Sequence, residues 1–285
     1  MRIMNKIYYL VMSMTVILLA ACSQDEMEQV KERTLPELRV MVNHPSSIST
    51  RASVYDVSTT FTEGDKIGIF ATDLNGDPIY INIPYVYKNV NTNPEENPIY
   101  EWVLADESKT VYYSPNFSYY AYYPYVERDN NYWDNTIVYY MDNPNDFFEY
   151  FISEWVPEYD QSTLENFNAS DLMVGEGTDN SETASVAFTL NHQMGLVRIA
   201  YYDGRVQQYV EDISGLDSKT YFYNKDVNNC PVPYNTGNHY FYYIAKPGVP
   251  IEFWYMDTMT GPRPYTINVD EDKGFITTTE VSPSF

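Results

Sequence analysis

Apolar residues recur at every second position in five runs: Leu38, Val40 and Val42; Ile67 and Ile69; Val186, Phe188 and Leu190; Ile251, Phe253 and Tyr255; Tyr265, Ile267 and Val269. Successive side chains of an extended chain point to opposite sides, so this spacing lays each apolar set on one face of a sheet. The β-branched and aromatic residues in the runs suit a pleated, half-buried surface. Turn formers separate them: Asn75-Gly76-Asp77-Pro78, Ser114-Pro115-Asn116, Thr260-Gly261-Pro262 and Asp270 to Gly274. Helical spacing is scarce. Its clearest case is Pro144–Val156, where Phe147, Phe148, Phe151, Ile152 and Trp155 predict one short helix. Many short strands with few helices predict an all-β chain built as two antiparallel β-sandwich domains. The polar stretch from Gly175 to Ser185 is the candidate boundary, dividing the chain into residues 52–180 and 181–285.

Charge narrows the partners. Against 40 Asp and Glu the chain carries 17 Lys and Arg, a formal net charge of −23. Nucleic acid and anionic membrane surfaces both need a basic face, so neither is an electrostatic partner. The 30 Tyr, 13 Phe and 4 Trp supply apolar area for a core and argue against disorder.

Two cysteines rule out a disulfide scaffold and leave the question of what each does. Arg2 and Lys6 precede an apolar run from Ile7 to Leu19, the length of a secretory signal and short of the ~20 residues that span a bilayer. The run ends in Leu19-Ala20-Ala21-Cys22, which resembles a bacterial lipobox; the alternative is an ordinary Ala-x-Ala signal site with an incidental cysteine. Read as a lipobox, residues 1–21 are the signal peptide and Cys22 is the lipidated residue. Losing 21 residues and two positive charges leaves 264 residues at a formal charge of −25. Cys230 is then the only thiol, expected as a small buried residue. The acidic Ser23-Gln24-Asp25-Glu26-Met27-Glu28 that follows resembles a surface-export signal, with a periplasm-facing lipoprotein as the alternative. The expected anchor is the outer membrane.

Five patterns in order point to one family. They are Phe61-Thr62-Glu63-Gly64-Asp65-Lys66-Ile67-Gly68-Ile69-Phe70, with Thr50-Arg51-Ala52 upstream; Trp102 followed by Val111-Tyr112-Tyr113; Tyr122-Tyr123-Pro124-Tyr125; Ser170-Asp171-Leu172-Met173-Val174-Gly175; and Phe188-Thr189-Leu190-Asn191-His192-Gln193-Met194. Together they resemble the fimbrillin-like proteins of Bacteroidetes, the subunits of type V fimbriae. The resemblance covers roughly Thr50 to Ile199. It implies two transthyretin-like β-sandwich domains, no catalytic activity and no cofactor. It also implies a lipoprotein precursor that an arginine-specific protease releases, after which subunits polymerise by strand exchange with a donor strand from the C-terminus.

The residues bear on that mechanism. Leu38 to Val42 reads as a first strand, expected at a sheet edge, and Asn43 to Thr50 as the kind of polar loop that proteases cut. Cutting between Arg51 and Ala52 would detach the strand with residues 22–51 and release 234 residues. The sheet would then expose unpaired amides and an apolar groove that a strand from another chain can fill. The alternatives are a plain loop arginine at Arg51, or cutting at Arg33 or Arg39. The candidate donor face in the tail is Phe275, Thr277, Thr279 and Val281, and its two threonines make it a modest filler for an apolar groove. That weakness fits a minor, tip or anchor subunit at least as well as a stalk subunit.

A second class of function is a surface glycan-binding lipoprotein of a nutrient-uptake system, with Trp102, Trp133 and Trp155 as candidate stacking residues toward a host or bacterial surface ligand, glycan or protein. Rings on alternating strands are also what a core needs. No nucleophile and base arrangement is legible, and His192 after an apolar strand reads as structural, so no catalytic or metal site is expected. Asp73-Leu74-Asn75-Gly76-Asp77 starts like a calcium loop, but the twelfth position is Pro84, and a hairpin turn is expected instead.

Overall fold

The structure is a computed structural model that describes residues 35–43, 60–139, 146–203, 208–209, 212–222, 229–238, 240–257, 261–274 and 276–281. Eight strands form the first sheet: β1 (Arg39–Asn43), β2 (Lys66–Thr72), β3 (Pro78–Asn89), β4 (Tyr100–Leu104), β5 (Ser118–Tyr123), β6 (Met173–Asn180), β7 (Ser185–Thr189) and β8 (Asn191–His192). Their order is β5-β2-β3-β4-β1-β7-β6-β8, and β6 also pairs with β5. Seven strands thus close into a barrel-like ring. Every pairing in it is antiparallel except β1 with β7.

Alternation decides what each side of the ring holds. Leu38 and Val40, Ile67 and Ile69, and Tyr119, Ala121 and Tyr123 point inward to one core with Phe61, Trp102 and Phe188. Phe70, Tyr120 and Tyr122, one position out of phase, point outward to a second core. The tyrosine-rich β5 therefore serves both sides. Gly68 allows this crowding, since a Cβ there would collide with the Tyr122 ring and the Asn82 side chain.

The second core is roofed by helical segments between β5 and β6: α1 (Asn130–Thr136), α2 (Glu149–Glu154) and α3 (Leu164–Ser170). Among the described residues of Pro144–Val156 the α-helix is α2, and the spacing argument missed α1 and α3. Both missed helices are short but capped, Asp129 Oδ1 accepting from the Tyr132 amide at 2.9 Å and Thr163 Oγ1 from the Asn166 amide at 3.2 Å. Phe147 stacks on Tyr120 at 3.9 Å and 7°, and Trp133 meets Phe70 edge-on at 5.2 Å.

Beyond this layer β9 (Gly195–Asp203) pairs with β10 (Gln208–Tyr209), β12 (Tyr240–Ala245) and β15 (Ile276–Val281), and β12 with β11 (Tyr234–Asn235). Leu196, Tyr242 and Ile244 face the helices. Val197, Ile199, Phe241 and Tyr243 face the other way, onto Phe222 after α4 (Ser218–Tyr221) and onto a hairpin of β13 (Ile251–Asp257) and β14 (Gly261–Ile267). Glu37–Phe285 is one compact unit. The segment from Gly175 to Ser185, read above as a boundary, is the β6–β7 hairpin of the first sheet, and pairing continues across it.

Candidate functional site

Leu38, just ahead of β1, and Val40 within it are buried while Arg39 and Met41 are exposed, as the alternation requires. It is not an edge strand, contrary to the expectation. It pairs with β4 on one side and β7 on the other, so its removal would open two edges instead of one. The two seams differ. All five residues of β1 are in register with β7, from Arg39 opposite Ser185 to Asn43 opposite Thr189. Toward β4 the register holds at Val40 and Trp102 alone. Upstream, the Leu38 amide donates to the Val111 carbonyl at 2.8 Å.

A cleft of about 1390 Å³ lies along the weak seam. Val40, Tyr85, Tyr87 and Trp102 line its depth, and Lys88 pairs with Glu107 at 3.1 Å on its rim. Tyr87 stacks on the partly exposed Tyr100 at 5.1 Å and 21°, and Phe61 meets Trp102 edge-on at 5.1 Å. Behind the cleft, Asp65 accepts from the Thr62 amide at 2.7 Å and from the Tyr123 hydroxyl at 3.3 Å. Gly64, at φ 99°, takes the left-handed turn that glycine permits.

The sequence-predicted residues fall in different places. Cys22, Arg51, Ala52 and Phe275 lie outside the described residues. Trp102 lines the cleft at 7% exposure. Trp133 is fully enclosed among Phe70, Tyr122 and Phe151, which corrects its reading as a stacking residue: no ligand reaches a ring with no exposed surface. Trp155 is half-buried and donates from Nε1 to the Ser170 carbonyl at 3.0 Å, so it pins the segment after α2 to the end of α3. Cys230 is buried. Asp73 accepts from the Asn75 and Asp77 amides at 2.8 and 2.9 Å, which makes that loop the hairpin turn expected.

The tail carries its own site. β15 runs parallel to β9, Ile276 opposite Leu196 through Val281 opposite Tyr201. Thr277 Oγ1 accepts from the Asp270 amide at 2.9 Å, and the Thr279 and Tyr265 hydroxyls lie 2.7 Å apart. Two polar features stand out, the first missed by the sequence reading and the second built on His192, read above as structural. One is Arg198, buried on β9 and reaching β15, whose only trace in the sequence is a cation inside the apolar run Leu196 to Ala200. The other is the buried pair of His192 Nδ1 and Asp171 Oδ1 at 2.9 Å, which ties β8 to the end of α3.

Comparison with known proteins follows the same lines. The profile of the fimbrillin-like family matches residues 50–229. Over 190 residues the chain is 27% identical to the proposed fimbrium tip subunit Fim1C of Bacteroides ovatus ATCC 8483, a match taking in 62% of this chain and 31% of that protein. The chain thus spans less than a third of that relative. The crystal structure of a fimbrial protein from the same strain shares the fold at a TM-score of 0.58 and 20% identity, covering 88% of this chain and 50% of that one. A family match over more than half of its residues, on a fold of this kind, means that the protein belongs to the fimbrillin-like family.

Proposed function

We propose that this protein is a non-catalytic fimbrial subunit, made as an outer-membrane lipoprotein on Cys22 and assembled at the cell surface by protease-triggered strand exchange. Cutting between Arg51 and Ala52 by an arginine-specific protease would remove β1 with the lipid anchor. The observation that carries the reading is the position of β1: an apolar strand just upstream of the cut, seated inside a closed sheet and joined to one neighbour by a single register pair. Its loss would uncover the β4 and β7 edges together with the inward faces that Leu38 and Val40 now cover. Such a groove favours a strand from another chain, because main-chain pairing and apolar side chains are both left without partners.

In this reading the closed sheet is one transthyretin-like unit, and the β9–β12 layer with the β13–β14 hairpin is the other. β15 is the donor. Its half-buried threonines make it a modest filler, which favours a minor, tip or anchor position over the stalk. Adhesion to a surface glycan or protein is the role such a subunit would have.

N-terminal sequencing of the protein recovered from native surface filaments tests this. A start at Ala52 is expected. Recovery solely as a lipidated chain from Cys22, outside any filament, would overturn it.

A further inference from the structure

We propose that a polar pocket where the turn before α3, the start of α4 and the end of β11 meet holds one neutral pyranose ring of a surface glycan. The inference rests on the glycan-adhesion role above and gives it a site away from the tryptophans.

The pocket encloses about 400 Å³, within the ~300–1,000 Å³ of small-molecule sites. Its walls are fixed by their own hydrogen bonds. Ser162 Oγ donates to Asp160 Oδ1 and Ser214 Oγ to Asp212 Oδ1, each at 2.6 Å. Asn235 spends both side-chain amide protons on the Ile213 and Leu216 carbonyls, at 2.8 and 2.6 Å. Gly237, at φ 82°, returns its own amide to Asn235 Oδ1 at 2.8 Å. With those protons committed, the lining offers lone pairs, on the two serine oxygens and the Asp217 carboxylate.

Ser218 is the exception. It is 4% exposed and lines the pocket, and among the described residues its Oγ has no hydrogen-bond partner. A buried hydroxyl is costly until something pairs with it, so this one is a contact for a ligand to complete.

The occupant follows from hydrogen-bond sense, size and charge. Oxygens that accept call for a ligand that donates at several points. A pyranose does so around its rim, and each of its hydroxyls also accepts, which suits the Ser218 proton. Leu216, partly buried in the lining, gives the C–H face of the ring an apolar surface. An ammonium group donates as well, but it would fill a small part of the 400 Å³. Acidic sugars are disfavoured. Asp217 lines the pocket, and Asp160 and Asp212 hold its serines on a chain of net charge −23. Lys219 neutralises one of the three, pairing with Asp160 at 2.7 Å.

The test is saturation-transfer NMR on the full chain. Glucose, galactose, mannose and N-acetylglucosamine are the neutral probes, N-acetylneuraminic acid the acidic one and N-acetyl-lysine amide the ammonium one. Transfer to at least one neutral sugar is expected, and none to the acidic one. Ser218→Ala should weaken that binding tenfold or more while leaving the melting temperature unchanged or raised, because it deletes an unpaired hydroxyl. Ser214→Leu, at an exposed position on the rim, should weaken it likewise. Transfer to no neutral sugar, equal transfer to the acidic or ammonium probe, or binding that ignores both variants would overturn the pocket. So would a lowered melting temperature for Ser218→Ala, which would show the hydroxyl to be tied within the fold. A glycan array separates the pocket from adhesion itself. Array binding that survives both variants would overturn the pocket and leave glycan adhesion standing, whereas a silent array would remove both.

Discussion

Arg198 reaches from the middle of β9 to the last strand, its Nη2 donating to Thr278 Oγ1 at 3.0 Å while the guanidinium lies 4.5 Å above the Tyr240 ring. It is buried, with no carboxylate within ion-pair distance among the described residues. A buried cation held by a hydroxyl and a ring face makes the seat of β15 conditional on polar contacts. Arg198→Ala is expected to cost about 1–3 kcal/mol, since it removes a charge-assisted hydrogen bond and the packing of the stem. Amide hydrogen exchange should quicken over residues 276–281 more than over β2 or β5. A uniform change across the three strands would show that Arg198 supports the whole fold and not the tail.

Tyr122 closes a buried polar knot. Its hydroxyl donates to Asn82 Oδ1 at 2.7 Å and accepts from the Val126 amide at 3.1 Å. Asn82 stands at φ 51° and donates to the Val126 carbonyl at 3.0 Å. Tyr122→Phe keeps the ring and strands these partners, so a loss of about 1–3 kcal/mol is expected in urea unfolding. The exposed Tyr112→Phe should stay within about 0.5 kcal/mol of the parent. Equal midpoints for the two variants would refute the knot.

Buried tyrosines set an alkaline limit. Burial pushes the hydroxyls of Tyr113, Tyr119 and Tyr139 up from 10.0 to about 12, and Asp179, accepting from Tyr113 at 2.6 Å, adds to the first of these. Unfolded tyrosines ionise near 10 while the folded ones keep their protons, so the unfolded chain binds fewer protons in between and stability falls as pH rises. The contribution is complete below pH ~10 and is lost as pH climbs through ~12. The guanidinium midpoint should therefore drop over that interval. A midpoint that holds steady across it would contradict the assignment.

Trp133 anchors the layer between the sheets. Trp133→Ala is expected to cost about 3–5 kcal/mol by leaving a cavity among Phe70, Tyr122 and Phe151. Iodide should barely quench its fluorescence in the folded protein. Ready quenching, or a stable Trp133→Ala variant with altered ligand binding, would restore Trp133 as a contact residue.

Local features of the sequence were legible wherever their cause is local. Period-two spacing set the inward face of Leu38 and Val40, because an extended backbone turns successive side chains to opposite sides. Gly64 and the Asp73 turn were likewise readable from residue type. Helices α1 and α3 were not, since seven residues carry too few turns for a 3.6-residue period to show.

The sequence by itself thus determined an acidic, mostly β chain of the fimbrillin-like family with defined strand faces. Tertiary structure alone decided which strands meet. β1 lies inside the sheet because β4 and β7, both distant in sequence, pair on its two sides, and a polar stretch that looked like a boundary became the hairpin that helps close the ring. Trp102 lines a cleft and Trp133 a core because their strand and helix pack against different layers. Side-chain alternation is a property of one strand, whereas register and closure depend on partners distant in sequence, chosen by which apolar faces can be buried together.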